Sequence, residues 1–252
     1  MNGIQYDGFY ARLSGNSPVA AAAIHAGSRI RAELQPFLLA GDYLRRSEED
    51  YGTSLLIENC PDIVIADDSR AEYDLNRDRD MALPLTAERF WGIQIYKEIP
   101  PEEINRRTLA KYDHFRSFMA DYTHKMAEKF GRFYLFDVHS FNPSRQVEKG
   151  LDPVPLFCIG TRNVLPQYRS RADELIERIS AIKIPGLVNH TRENQPFQGG
   201  SFGRSLVEND SRVCVFSIEV AKYYLDEKTQ LIDFGILQSI GRELSKIIRE
   251  WK

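Results

Sequence analysis

The chain has 252 residues, 42% of them hydrophobic and 27% charged, which is enough apolar material for one large core and is the balance of a soluble globular protein. Its formal net charge of −3 sets up no field that would draw a nucleic acid or an anionic lipid surface. No apolar stretch is long enough to span a bilayer or to read as a signal peptide, so a cytoplasmic place is expected.

In chain order, residues 1–16 carry glycines and tyrosines without a clear period and read as an edge strand or an irregular arm. The run VAAAAI at 19–24 is short and small enough for an interior strand, and it stops at His25. From Arg29 to Leu39 the apolar residues fall at helical spacing, with Pro36 placed to break that helix. The cluster GDYLRRSEED at 41–50 ends in Glu48, Glu49 and Asp50. It is either a solvated helix start capped by Ser47 or the source of a carboxylate ligand for a metal. DIVIA at 62–66 is a strand. Ala71, Tyr73 and Leu75 alternate along 69–77 and predict a further extended run that ends at Asn76 and Arg77. An Arg beside an Asn suits a carboxylate or a developing oxyanion, because the guanidinium fork matches paired oxygens at any working pH.

Residues 100–130 predict a long helix with Pro101 in its first turn and His114 and His124 on its polar side. FYLFDVHSFN at 133–142 is the central apolar run, carrying Asp137 into His139, and VCVFSI at 213–218 stops likewise at Glu219. In an α/β sheet ligands gather beyond the carboxyl ends of the strands. Three strands would thus bring His25, His139 and Glu219 to one rim. PLFCI at 155–159 is another strand. A helix capped by Ser170 follows over 171–183. Residues 187–203 form a loop rich in Asn and Gly that holds His190, and a last helix covers 231–251. Cys60, Cys158 and Cys214 are odd in number and far apart, which excludes a disulfide framework and a cysteine-built zinc site.

The ordered set His25-Ala26-Gly27, Glu48-Glu49-Asp50, Asp74-Leu75-Asn76-Arg77, Asp137-Val138-His139-Ser140, Asn194-Gln195-Pro196-Phe197-Gln198-Gly199-Gly200 and Ile218-Glu219 resembles the N-formylglutamate amidohydrolase family. The resemblance implies kinship with zinc carboxypeptidases (phosphorylase/hydrolase-like). The expected fold is a single three-layer α/β/α domain over residues 1–252 with a mixed, largely parallel sheet. It further implies one zinc ion held by His25, an acid of the 48–50 cluster and His139, with Glu49 the choice and Asp50 the reserve. Glu219 would be the general base, Arg77 a catalytic charge, and Asn76, Arg77, Asn194, Gly199 and Gly200 the substrate contacts. The implied reaction is hydrolysis of the amide of a small N-acyl amino acid with a free carboxylate, such as N-formyl-L-glutamate, by an activated water. Asp137 would orient a histidine from behind, or make a structural hydrogen bond. Two other readings are a non-catalytic carboxylate-binding module and a peptidase of the metallocarboxypeptidase type. Against the peptidase, Ser28 stands where an HxxE motif starting at His25 would place its glutamate.

Overall fold

The computed structural model describes residues 3–252, so Met1 and Asn2 of the expected arm lie outside the described residues. The rest of that arm is an edge hairpin, β1 (Ile4–Gln5) and β2 (Phe9–Arg12), and β3 (Val19–Ala23) follows as expected. Every residue of β3 is buried, and its alanines let neighbouring layers approach closely. Where a helix was expected at 29–39 there is only a 3₁₀ turn, Ala32–Phe37, with Pro36 inside it. Proline lacks the N–H that an α-helix would need there.

Next come α1 (Asp42–Glu48), α2 (Thr53–Ile57) and β4 (Ile63–Ala66). Ser47 is not an N-cap: Gly41 caps α1, and the acid cluster sits at its carboxyl end, where the helix dipole disfavours it. Cations offset that cost, since Arg45 pairs with Glu49 and Arg145 with Glu48. Residues 69–77 are turns and not a strand. Ala71, Tyr73 and Leu75 are buried, but so are Arg70, Glu72 and Asp74 between them, so the alternation of apolar residues does not mark one wet and one dry face.

The long helix is α3 (Glu102–Phe130), on which His114 and His124 are exposed. β5 (Phe133–Phe141) is buried at all nine positions and runs through His139 instead of ending before it. Then follow α4 (Pro143–Glu148), β6 (Phe157–Gly160), α5 (Arg169–Ser180), β7 (Thr191–Glu193), α6 (Ser201–Asn209), β8 (Val213–Ala221) and α7 (Phe234–Arg249). Ser170 lies inside α5, not at its cap. β7 and α6 interrupt what reads in sequence as one loop.

One eight-stranded sheet takes the order β1-β2-β4-β3-β5-β8-β6-β7. Its centre is parallel, from β4 through β3 and β5 to β8, while β1, β2 and the β6–β8 pairing are antiparallel. Alternate residues of β5 enter opposite cores. Tyr134, Phe136 and Val138 pack with α2, α5 and α7, and Phe133 and Leu135 with α3 and α6, which makes three layers. Phe136, Phe216 and Trp251 close the first core with ring centroids 5.4–5.5 Å apart, Trp251 meeting both phenyl rings edge-on and the phenyl pair tilted by 45°, contacts worth about 0.5–1.5 kcal/mol each beyond area burial.

From β3 the chain crosses one face, by α2, to β4 on one side. From β4 it crosses the other face, by α3, to β5 on the opposite side of β3. The carboxyl ends of β3 and β5 therefore flank the point where the winding reverses, the place where such sheets open a crevice.

Candidate active site

That crevice receives side chains from five segments. His25 follows the end of β3, and its carbonyl accepts the N–H of Asp50 at 2.9 Å, which pins the α1–α2 turn beside it. His139 is the seventh residue of β5 and Glu219 the seventh of β8, and the two are register partners. Asp74 comes from the turns after β4. His25, Asp50, Asp74, Asp137 and His139 are all nearly fully buried.

His25, Asp50 and His139 each offer one ligand atom, and the three atoms lie within 4.8 Å of one another. Asp50 Oδ2 is 2.9 Å from His139 Nδ1 and 3.5 Å from His25 Nδ1. The outer ring nitrogens meet other carboxylates. His25 Nε2 is hydrogen-bonded to Asp74 Oδ1 at 2.8 Å. His139 Nε2 is 2.9 Å from Asp137 Oδ2, though out of line for a hydrogen bond. A carboxylate behind an imidazole keeps the proton on the outer nitrogen and turns the Nδ1 lone pair inward, the usual support of a metal-binding histidine. His25 Nδ1 has no hydrogen-bond partner among the described residues despite its burial. Two inward nitrogens and one carboxylate oxygen fit a zinc-type cation and leave a fourth position for water.

Glu49, the expected carboxylate, is not in this group. Its Oε1 is held by Arg45 and by the hydroxyl of Ser69, and Glu49 does not line the cavity above the histidines. Asp50 takes the place instead because the chain leaves α1 in an extended conformation at Glu49, which sends neighbouring side chains in different directions.

Burial pushes the Asp50 carboxyl up, but the hydrogen bond to His139 and the nearby His25 imidazole and Arg70 guanidinium outweigh it and leave it below the usual range. Asp74 is held well below by Arg70 and His25 against the same burial. For His139 burial acts downward, and Asp137, Asp50 and Glu219 reverse it and raise the imidazole. Glu219 is pushed up to about 7 by burial, against the pull of His139. A carboxyl that titrates near neutrality is suited to accept and return a proton.

Above the cluster is a cavity of about 220 Å³, lined by His25, Asp50, His139, Glu219, Arg70 and Arg77 among others. It is smaller than the roughly 300–1,000 Å³ of pockets that hold drug-sized ligands, and suits an amino-acid-sized one. Arg70 is buried on its wall, paired with Asp74 at 2.8 Å and 3.6 Å from Asp50.

The N-formylglutamate amidohydrolase family matches residues 17–225 of this chain. The chain belongs to that family. Among solved structures, this family member is similar to the N-formylglutamate amidohydrolase from Ralstonia eutropha JMP134, with a TM-score of 0.76 and 18% identity over 96% of each chain. It is also similar to a gene product of Agrobacterium tumefaciens, with a TM-score of 0.64 and 20% identity over 95% of this chain and 96% of that one. At such identities the likeness is one of fold. A carboxypeptidase A from Helicoverpa armigera aligns at a TM-score of 0.47 with 12% identity, over 96% of this chain and 63% of that one. No curated protein matches the sequence.

The other expected site residues of this amidohydrolase-family chain divide. Asn76, Arg77 and Gly200 line the cavity. Gly200 is required there, since a Cβ would lie 2.0 Å from Asn76 Oδ1, the atom that accepts the Phe202 N–H at 3.1 Å. Asn194 and Gly199 do not line it. Asn194, at φ 55°, bonds through both amide atoms to Thr161, and Gly199 packs against Asn163. His190 is exposed on a separate groove. Sequence reasoning missed Arg70 and Asp74 as members of the site. For Asp74 the signal was the DLNR motif, in which it stands two residues before Asn76 and accepts its backbone N–H at 2.8 Å; Arg70 lies outside that motif. No helix among the described residues is long and apolar enough to cross a membrane.

Proposed function

We propose that this chain is a zinc-dependent amidohydrolase that cleaves the amide of an N-acyl amino acid, with N-formyl-L-glutamate the leading substrate. The observation that carries the reading is the meeting of His25, Asp50 and His139 within 4.8 Å at the floor of a cavity that also holds Glu219, Arg70 and Arg77. One zinc ion per chain, bound by those three residues, would supply Lewis acidity toward the acyl oxygen and lower the pKa of water towards ~7.

Asn76 and Arg77 hold the free carboxylate of the substrate at the mouth, where the Arg77 side chain is 46% exposed and its ion-pair contact with Asp74 is a long 3.9 Å. Glu219 takes a proton from water as the water oxygen attacks the acyl carbon. Arg70 faces the negative charge that gathers on the acyl oxygen, a role in which losing one donor costs about 2.7–4 kcal/mol of barrier. Glu219 then returns the proton to the leaving nitrogen as the C–N bond breaks, giving a carboxylic acid and a free amino acid. Asp74 and Asp137 keep the two imidazoles oriented throughout.

Release of formate from N-formyl-L-glutamate by zinc-loaded protein tests this reading. Glu219→Gln should keep its zinc and lose roughly 10²–10⁴-fold in rate. A protein that takes up stoichiometric zinc yet releases no formate or other acid from any N-acyl amino acid would instead be a carboxylate-binding module.

A further inference from the structure

Trp91 sits in the left-handed backbone region at φ 50°, one of three non-glycine residues with positive φ among the described residues. There the Cβ of an L-residue crowds the neighbouring carbonyl oxygen, so a bulky aromatic holds this conformation only where its surroundings impose it. From behind, Phe90 is fully buried and meets the indole edge-on at 5.0 Å, and the N–H of Gly92 donates to the Ala87 carbonyl at 2.8 Å.

In front, the indole centroid lies 4.2 Å from Arg70 Cζ and 5.9 Å from Arg77 Cζ, and the ring forms part of the cavity wall. Asp74 and Asp50 grip Arg70 at its edge, but edge contacts leave a planar group free to tilt. An aromatic face against the guanidinium limits that freedom.

We propose that Trp91 is a positioning residue: its indole fixes the plane of the Arg70 guanidinium beside the reacting acyl group and steadies Arg77 at the mouth. The proposal rests on the hydrolysis described above. It goes beyond that reading by assigning a role to a residue outside every motif that carries the family resemblance.

The test compares Trp91→Gly, Trp91→Leu and Trp91→Phe in zinc-loaded protein, by kcat and KM for N-formyl-L-glutamate, zinc content and melting temperature. Glycine relieves the backbone constraint but gives up the packing of the indole on Phe90, so melting temperature is read beside kcat to establish that each variant is folded at the assay temperature. The kcat of Trp91→Gly and that of Trp91→Leu should fall roughly 10- to 100-fold, the effect of a displacement near 1 Å at a charged catalytic group. Trp91→Phe should recover most of the loss, because a phenyl face still attracts a guanidinium. Wild-type kcat in the leucine or glycine variant overturns the proposal. So does a phenylalanine variant no better than leucine. If the wild-type chain itself turns over nothing, the reaction fails. The proposal is then decided by N-formyl-L-glutamate binding: a tenfold loss in Trp91→Leu upholds it and unchanged affinity overturns it.

Discussion

His139 and Glu219 face each other as register partners on β5 and β8, in a ladder that pairs Phe133 with Val213 and continues to Phe141 with Ala221. In parallel strands such partners leave the same face of the sheet, with neighbouring strands about 4.8 Å apart. The separation of the proposed metal ligand from the proposed base is thus fixed by backbone hydrogen bonds in the most buried part of the molecule. Sites built on strands hold their geometry better than sites on loops. Glu219→Asp, which withdraws the carboxylate by one methylene, should therefore lower kcat roughly 100-fold while zinc content stays at one per chain. Steady-state kinetics beside metal analysis check this, and unchanged turnover would show that the carboxylate position does not matter.

The two acids that end the 48–50 cluster should behave oppositely. Asp50→Asn should weaken zinc binding by more than ~100-fold, the upper end of the cost of losing an outer partner alone. Glu49→Ala should keep zinc but lose about 2 kcal/mol of stability, because it removes the buried partner of Arg45 and leaves that guanidinium only Asp42 and the Ser28 carbonyl. Chelator competition and urea unfolding on both variants separate them. If Glu49→Ala loses the metal and Asp50→Asn retains it, the ligand set is wrong.

Behind the cluster, Asp74 bonds His25 Nε2 at 2.8 Å and Arg70 at 2.8 Å. Asp74→Asn keeps the size but removes the charge that holds the proton on Nε2. Zinc affinity should drop about 10- to 100-fold. The drop in kcat should be larger than the loss of zinc explains, since Arg70 is released as well. Titration with a chromophoric chelator, followed by assay at saturating zinc, measures the two parts.

The strands that carry this site were legible because they are buried on both faces: VAAAAI, FYLFDVHSF and VCVFSI are apolar runs bounded by polar residues. Glu49 and Asp50 could not be separated in sequence, because the direction of each side chain depends on where α1 ends. Arg70 and Asp74 stayed hidden for another reason. They are charged residues inside an apolar alternation, and burial by mutual pairing leaves no trace in a hydrophobic pattern. The short helices α2, α4 and α6 owe their existence to packing on the sheet more than to propensity, as helices of that length do.

All three thiols should be inert in the native protein. Burial pushes Cys60 up to about 11 and Cys158 and Cys214 up to about 12, so almost no thiolate is present at pH 8. An aromatic disulfide reagent should label none of them in buffer and all three in denaturant. Rapid labelling of even one cysteine in the folded chain would contradict the packing around it.

The acid limb of stability should depend in part on Asp210, far from the metal group. Its Oδ1 accepts from the backbone N–H and Nε of Arg212, and its Oδ2 from the far end of the same guanidinium, while His124 Nδ1 is 2.8 Å away. These contacts tie the end of α6 to the start of β8 and to α3. The hydrogen bonds from Arg212 hold the carboxyl below its ordinary value of 3.8, against a smaller upward push from burial. A depressed folded-state pKa contributes stability that is fully present above the unfolded value and is lost as pH falls through the folded one. Asp210→Asn should accordingly be less stable than wild type by about 1 kcal/mol at pH 7, a modest figure because water screens partners as exposed as Arg212 and His124. The gap should hold down to about pH 4 and close below that, because protonation removes the same charge from the wild-type carboxyl. Urea unfolding of both proteins between pH 7 and pH 2.5 measures it. A gap as wide at pH 2.5 as at pH 7 would mean that the substitution acts through packing or the backbone contact, not through charge.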